Sequence, residues 1–190
     1  MGVYEQVRRD AFDEDIGQNS WLTATEQDAF GQWLNLSPGQ ALLDVACGSG
    51  GPALRIAAMT GVSVIGVDVH ERAIATGNAL AAERGLAHAA EFRVADAAEP
   101  LPFSDGTFDA ITCIDAINHL PDRRRVIAEW ARLLKPAGRL LFTDPIIVNG
   151  PSPMRKSRCA APRASIFSFP RDMTNSYSFS AACASCPRKT

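Results

Sequence analysis

Apolar positions along this chain fall into two rhythms. Short runs rich in apolar residues near 41–46, 62–67, 91–95, 108–113 and 138–143 have the length and the flanking turn residues of buried strands. Residues 51–59, 71–84 and 122–134 instead repeat apolar side chains at three- and four-residue intervals, which predicts helices with one buried face. Alternation of this kind predicts an α/β fold, a doubly wound and mostly parallel sheet with helices on both faces. Strands one and four then flank the point where the winding reverses, and a ligand crevice opens at their carboxyl ends. Ahead of the sheet, residues 3–35 carry two more helices separated by Asp15–Trp21. Thr23 followed by Glu26 reads as a capping box for the second, whose apolar face is Ala29, Phe30, Trp33 and Leu34.

The first strand runs through Cys47-Gly48-Ser49-Gly50-Gly51 into a helix that opens with Pro52, a residue suited to the first helical turn. Glycines there remove side chains that would hold the backbone away from a ligand, and the loop N–H groups with the helix N-terminus form an anion-friendly cradle. Gly48-x-Gly50-x-x-Ala53 also satisfies the dinucleotide fingerprint. Asp68, 18 residues past Gly50, is placed to accept hydrogen bonds from two ribose hydroxyls. Both features fit NAD and S-adenosylmethionine equally.

The remaining motifs narrow the choice. A third apolar run ends at Asp96, followed by Leu101-Pro102-Phe103, Phe108-Asp109-Ala110, Leu120-Pro121-Asp122 and Lys135-Pro136-Ala137-Gly138. A glycine turn serving only to reverse the chain does not account for acids after successive strands. Over residues 38–148 or so, the ordered set resembles the class I S-adenosylmethionine-dependent methyltransferases, in the small-molecule subgroup called type 11. The resemblance implies S-adenosylmethionine as cofactor, no metal, and methyl transfer to an amine, hydroxyl or carbon nucleophile of a small molecule. It places Gln18, Asp44, Ala46, Cys47, Gly48, Gly50, Asp68, Val69, Asp96, Ala97 and Cys113 around the cofactor. In it Asp44 organises the glycine turn and reaches the cofactor's amino group through water, while Asp96 and the Ala97 N–H hold the adenine. The loop Ile114–Leu120 touches both cofactor and substrate, which makes His119 and Asp115 the candidate catalytic residues; packing and backbone bonding are their alternative roles. Gly17–Glu26 resembles the segment that covers the cofactor in phosphoethanolamine-type N-methyltransferases, with Trp21 either a pocket wall or a core residue.

Methyl transfer from a sulfonium is an in-line displacement with a good leaving group, so alignment and exclusion of water matter more than acid–base machinery. Of the competing readings, an NAD-dependent oxidoreductase is opposed by Asp96, by the Lys135-Pro136-x-Gly138 turn and by the lack of a visible substrate domain. The other alternative is a truncated cofactor-binding domain without activity.

Composition changes the picture mainly at the C-terminal end. The 190 residues suit one domain, with no apolar run near 18 residues and no basic-then-apolar leader, and the five cysteines fit the cytoplasm better than a disulfide scaffold. Net charge −2 hides a split: residues 1–150 hold 12 Lys/Arg against 20 Asp/Glu, residues 151–190 hold 7 against 1. Three segments follow: 1–37, a helical segment over the site; 38–149, the cofactor-binding domain; and 150–190, a basic tail expected to be disordered. That tail contains 8 Ser, 5 Arg, 5 Pro and 3 Cys without a sustained helical or strand period, the composition of GC-rich DNA read out of frame. The sheet is therefore expected to lack its last two strands and to leave strand five as an exposed edge. Cys183-x-x-Cys186 has no second pair to complete a zinc site. The tail lacks the aromatic-basic pattern or amphipathic stripe of a nucleic-acid or membrane partner, and Arg123–Arg125 read as a solvated charge run at a helix start.

Overall fold

A computed structural model describes residues 3–12, 14–144, 163–168 and 179–180. Helices α1 (Val3–Phe12) and α2 (Ala24–Leu34) precede β1 (Ala41–Val45), α3 (Gly51–Thr60), β2 (Ser63–Asp68), α4 (Glu71–Glu83) and β3 (Ala90–Val94). After these come β4 (Phe108–Cys113), a single 3-10 turn Ile117–His119, α5 (Arg123–Leu133), β5 (Leu134–Asp144), β6 (Arg163–Ser168) and β7 (Phe179–Ser180). The sheet order is β3-β2-β1-β4-β5-β6-β7, with the first five strands parallel. The winding reverses between β1 and β4, as the alternating pattern predicts.

Two apolar layers flank the sheet. Leu42 and Val64 on one face pack with Leu54, Ile56 and Phe30, while Leu43, Val45 and Ile111 on the other pack with Val126, Trp130 and Leu133. Successive side chains of a strand point to opposite faces, so a near-continuous apolar strand serves both layers. The capping box of α2 is present: Thr23 Oγ1 accepts from the Glu26 N–H (3.2 Å) and Glu26 Oε2 from the Thr23 N–H (3.0 Å). Arg123–Arg125 are exposed, as read, with Arg123 bridged to Asp144 and Arg125 to Glu99.

Two expectations are corrected. The sheet does not stop at β5: β6 pairs antiparallel with it from Arg139↔Ser168 to Asp144↔Arg163, and β7 pairs with β6. An edge strand offers a row of unpaired N–H and C=O groups, and a six-residue run suffices to cover it. Composition taken over forty residues conceals so short a strand. The strand at 138–143 also begins earlier, at Leu134, and absorbs the Lys135–Gly138 turn as an irregularity with Ala137 at φ 67° and a register shift opposite Phe108/Ala110. The expected disorder of 150–190 and the reading of Cys159, Cys183 and Cys186 lie outside the described residues. No helix among the described residues is long and apolar enough to cross a membrane.

Candidate functional site

β1, β2 and β4 end side by side, and the segments leaving them bound a cavity of about 770 Å³. β1 and its turn contribute Asp44, Ala46, Cys47 and Gly48; β2 leads to Asp68, Val69 and His70; Asp96 and Ala97 follow β3; Asp115 and His119 follow β4. Asn19 and Ser20 from the N-terminal segment cover one side. Gln18, Gly50 and Cys113 are the sequence-predicted residues that do not line the cavity. Asn19 and Ser20 line it within the Gly17–Glu26 segment expected to cover the cofactor, while His70 and Arg72 line it without having been foreseen; the signal was their place just after Asp68, at the cap and first turn of α4.

The turn after β1 folds tightly because three of its residues take positive φ: Ala46 (54°), Gly48 (54°) and Gly50 (75°). At Gly48 a β-carbon would stand 3.0 Å from Asn19 Nδ2, at the cavity. Gly50 and Gly51 have a different cause from the one expected. Their missing β-carbons face the core, where one at Gly50 would strike the Phe92 ring at 2.3 Å and one at Gly51 the Ile16 carbonyl oxygen at 2.1 Å. These two glycines seat the turn on what lies behind it rather than clear room for a ligand.

The carboxylates differ by environment. Asp68 Oδ2 accepts from the Gly48 N–H (2.9 Å) and Oδ1 from the His70 N–H (2.9 Å), with His70 Nδ1 3.0 Å from the same oxygen. A carboxylate offers about four acceptor positions, so capacity remains toward the cavity. Asp96 Oδ1 accepts from the Ala98 N–H (2.9 Å), which shapes the turn after β3. Asp44 is buried, and burial pushes its carboxyl up to about 7; the Thr112 hydroxyl, donating at 2.7 Å, opposes this and the Asp68 charge adds to it. Burial likewise pushes the Cys47 and Cys113 thiols up, so neither is a thiolate at neutral pH.

On the other side, Asp115 follows β4 with φ 51°. Its N–H donates to Thr143 Oγ1 (2.7 Å), its Oδ1 accepts from the Thr143 hydroxyl (2.5 Å), and its Oδ2 accepts from the Trp21 N–H (3.2 Å). His119 is exposed at the cavity margin, so its ring is not a packing element. Trp21 is 78% exposed, with its ring edge-on to Phe12 at 6.3 Å between centroids, and is not a core residue. Gln18 is buried: Oε1 accepts from the Ile16 N–H (3.0 Å), while Nε2 has no hydrogen-bond partner among the described residues. Among those residues no cluster of three His, Cys, Asp or Glu could hold a metal ion.

With this geometry in hand, comparison with known proteins is specific. Residues 43–142 match the methyltransferase domain family. The 27-O-demethylrifamycin SV methyltransferase of Amycolatopsis mediterranei is 33% identical over 148 residues, covering 78% of this chain and 54% of that protein. Methyltransferase GfsG of Streptomyces halstedii is 40% identical over 117 residues, 62% of this chain and 41% of that one. Among solved structures, the cyclase SpnF superposes with TM-score 0.64 at 33% identity, over 75% of this chain and 53% of its own. A geranyl diphosphate methyltransferase in complex with GPP and sinefungin superposes with TM-score 0.61 at 27% identity, over 65% and 45%. The chain spans about half the length, or less, of the curated relatives it matches.

Proposed function

We propose that this chain, which belongs to the methyltransferase domain family, transfers a methyl group from S-adenosylmethionine to a small-molecule acceptor. The observation that carries the reading is the meeting of the Gly48 turn, Asp68 and Asp96 at one cavity, at the carboxyl ends of strands beside the switch point. Relatives named as O-, N- and C-methyltransferases support the reaction class and leave the accepting atom open.

The residues present fit the cofactor. Asp68 retains acceptor capacity for a ribose diol, and Asp96 and Ala97, which line the same cavity, are assigned to the adenine edge as the family resemblance implies. Gln18, expected at the cofactor, lies buried behind Asn19 and off the cavity wall, with its Nε2 unpartnered among the described residues, so Asn19 and Ser20 are the residues of this segment that face the cavity. Bound there, S-adenosylmethionine would supply an activated methyl group on sulfur. The chain itself would align the acceptor and exclude water, with Asn19 and Ser20 on one side and the loop after β4 on the other. Where the nucleophile arrives protonated, the candidate to take its proton is His119, exposed at the cavity margin.

Calorimetric titration with S-adenosylmethionine, S-adenosylhomocysteine and NAD tests the reading. The first two are expected to bind and to raise the melting temperature, and NAD is expected to do neither. Asp68→Ala is expected to weaken S-adenosylmethionine binding by about 1–3 kcal/mol, the scale for ligand hydroxyls left without a charged partner. Preference for NAD, or affinity unchanged in a folded Asp68→Ala protein, would overturn it.

A further inference from the structure

We propose that Asp115 is a positioning residue: its carboxylate clasps the N-terminal turn at Trp21 to the ends of β4 and β5, and so sets how slowly a ligand leaves the cavity. The inference relies on the proposed function only for the choice of probe.

Three hydrogen bonds define the clasp. Asp115 and Thr143 bond reciprocally, N–H to Oγ1 and hydroxyl to Oδ1, which joins the end of β4 to the end of β5. The second carboxylate oxygen reaches 94 residues back in the chain to the Trp21 N–H. Thr143 is fully buried and does not line the cavity, so the anchor is fixed and stands apart from any ligand. Asp115 is held at φ 51°, a region L-residues seldom adopt.

Besides Asp115, the turn is held by the edge-on contact of Trp21 with Phe12, by the Leu22 N–H donating to Ser20 Oγ (3.3 Å) and by Ser49 Oγ donating to the Gly17 carbonyl (3.4 Å). Gln18 and Leu22 are buried at its two ends, but Asn19 and Trp21 between them are exposed, and Trp21 contributes its ring to no core. Asn19 and Ser20 nevertheless line the cavity. Apart from the Phe12 ring, the contacts besides Asp115 lie within the turn or at its near end, so a segment anchored at both ends and largely exposed in the middle opens cheaply unless its far wall holds it, and here the far wall is Asp115.

Amide hydrogen exchange at Trp21 and the release rate of S-adenosylhomocysteine test the proposal together. Asp115→Ala and Thr143→Val are each expected to raise Trp21 amide exchange and ligand release about tenfold, the scale of one charge-assisted hydrogen bond. Asp115→Asn keeps an acceptor for the Trp21 N–H and is expected to stay within about threefold of the parent in both measurements. Thr143→Val is close to isosteric, so it carries the test even where Asp115→Ala does not fold. Exchange and release both unchanged in Thr143→Val would overturn the clasp. So would faster release in Asp115→Ala with Trp21 exchange unchanged, which marks direct ligand contact, or Asp115→Asn as disruptive as alanine. If the parent protein fails to bind S-adenosylhomocysteine, the proposed function fails, while Trp21 exchange in the three variants still decides the clasp.

Discussion

At the scale of single residues, Asp44 is the cavity carboxyl most altered by burial. Its folded carboxyl titrates near 7 because it is buried, against about 3.9 for an unperturbed aspartate. A carboxyl raised on folding binds protons more tightly in the native state, so its contribution to stability is greatest below about pH 4 and declines as pH rises toward 7. Asp44→Asn, which still accepts from Thr112, is expected to remove that decline. Ligand-free melting temperatures measured from pH 4.5 to 7.5 should diverge, with the variant gaining a few kcal/mol on the parent at the upper end. Gly48→Val is expected to abolish S-adenosylmethionine binding in calorimetry while keeping most of the helical circular dichroism, because a β-branched residue is strained at φ 54° and its side chain meets Asn19. Gly48, Asp68 and Asp96 were legible in the sequence because each lies at, or within three residues of, the carboxyl end of a strand, where chain position alone predicts the cavity. The partners of Asp115 were not, since Trp21 and Thr143 come to it from distant segments that only the fold brings together.

At the scale of elements, β3 is the free edge of the sheet, and its open side is managed by one side chain. Asn78 of α4 donates from Nδ2 to the Phe92 carbonyl (2.9 Å) and accepts from the Phe92 N–H at Oδ1 (3.0 Å), so its amide stands in for a neighbouring strand. Asn78→Ala would leave both backbone groups unmet at a half-buried position. The expected cost is about 1–3 kcal/mol in chemical denaturation, with increased aggregation on heating. Elements up to β5 were legible because their apolar rhythm is sustained and their caps are explicit, as with Thr23 and Glu26. β6 escaped because pairing, not periodicity, defines it: Arg163–Ser168 is a strand by virtue of the unpaired backbone of β5 beside it.

Across the whole molecule, the end of the sheet opposite the cavity is fastened by Asp109. Oδ2 accepts from the Ala41 N–H (2.9 Å) and from Lys135 Nζ (2.7 Å), and Oδ1 from Gln40 Nε2 (3.2 Å), which ties the starts of β1, β4 and β5 into one knot. Burial works against the Asp109 charge, but Lys135, Ala41 and Gln40 outweigh it and hold the carboxyl below the usual aspartate range. Its stabilising contribution is therefore complete above about pH 4 and lost as pH falls below that. Asp109→Ala is expected to cost about 1–3 kcal/mol at pH 7 and less at pH 3, read from urea midpoints, with cofactor affinity within about twofold of the parent because the knot lies at the far end of the strands. The Phe108-Asp109-Ala110 and Lys135-Pro136-x-Gly138 motifs were visible in the sequence as signatures. Their physical meaning, a salt bridge between them, emerged only in three dimensions.

The Phe92 ring lies under the glycine turn, and β-carbons at Gly50, Gly66 and Gly77 would approach it to 2.3, 2.3 and 3.1 Å. One aromatic side chain thus serves as a shim between the sheet, α4 and the floor of the cavity. The recognition surface inherits its stiffness from that shim, and its shape can be retuned from behind. A change in the volume of residue 92 would raise or lower the turn without altering a single atom that faces a ligand, so divergence in ligand preference within such a fold has a route that runs through the core.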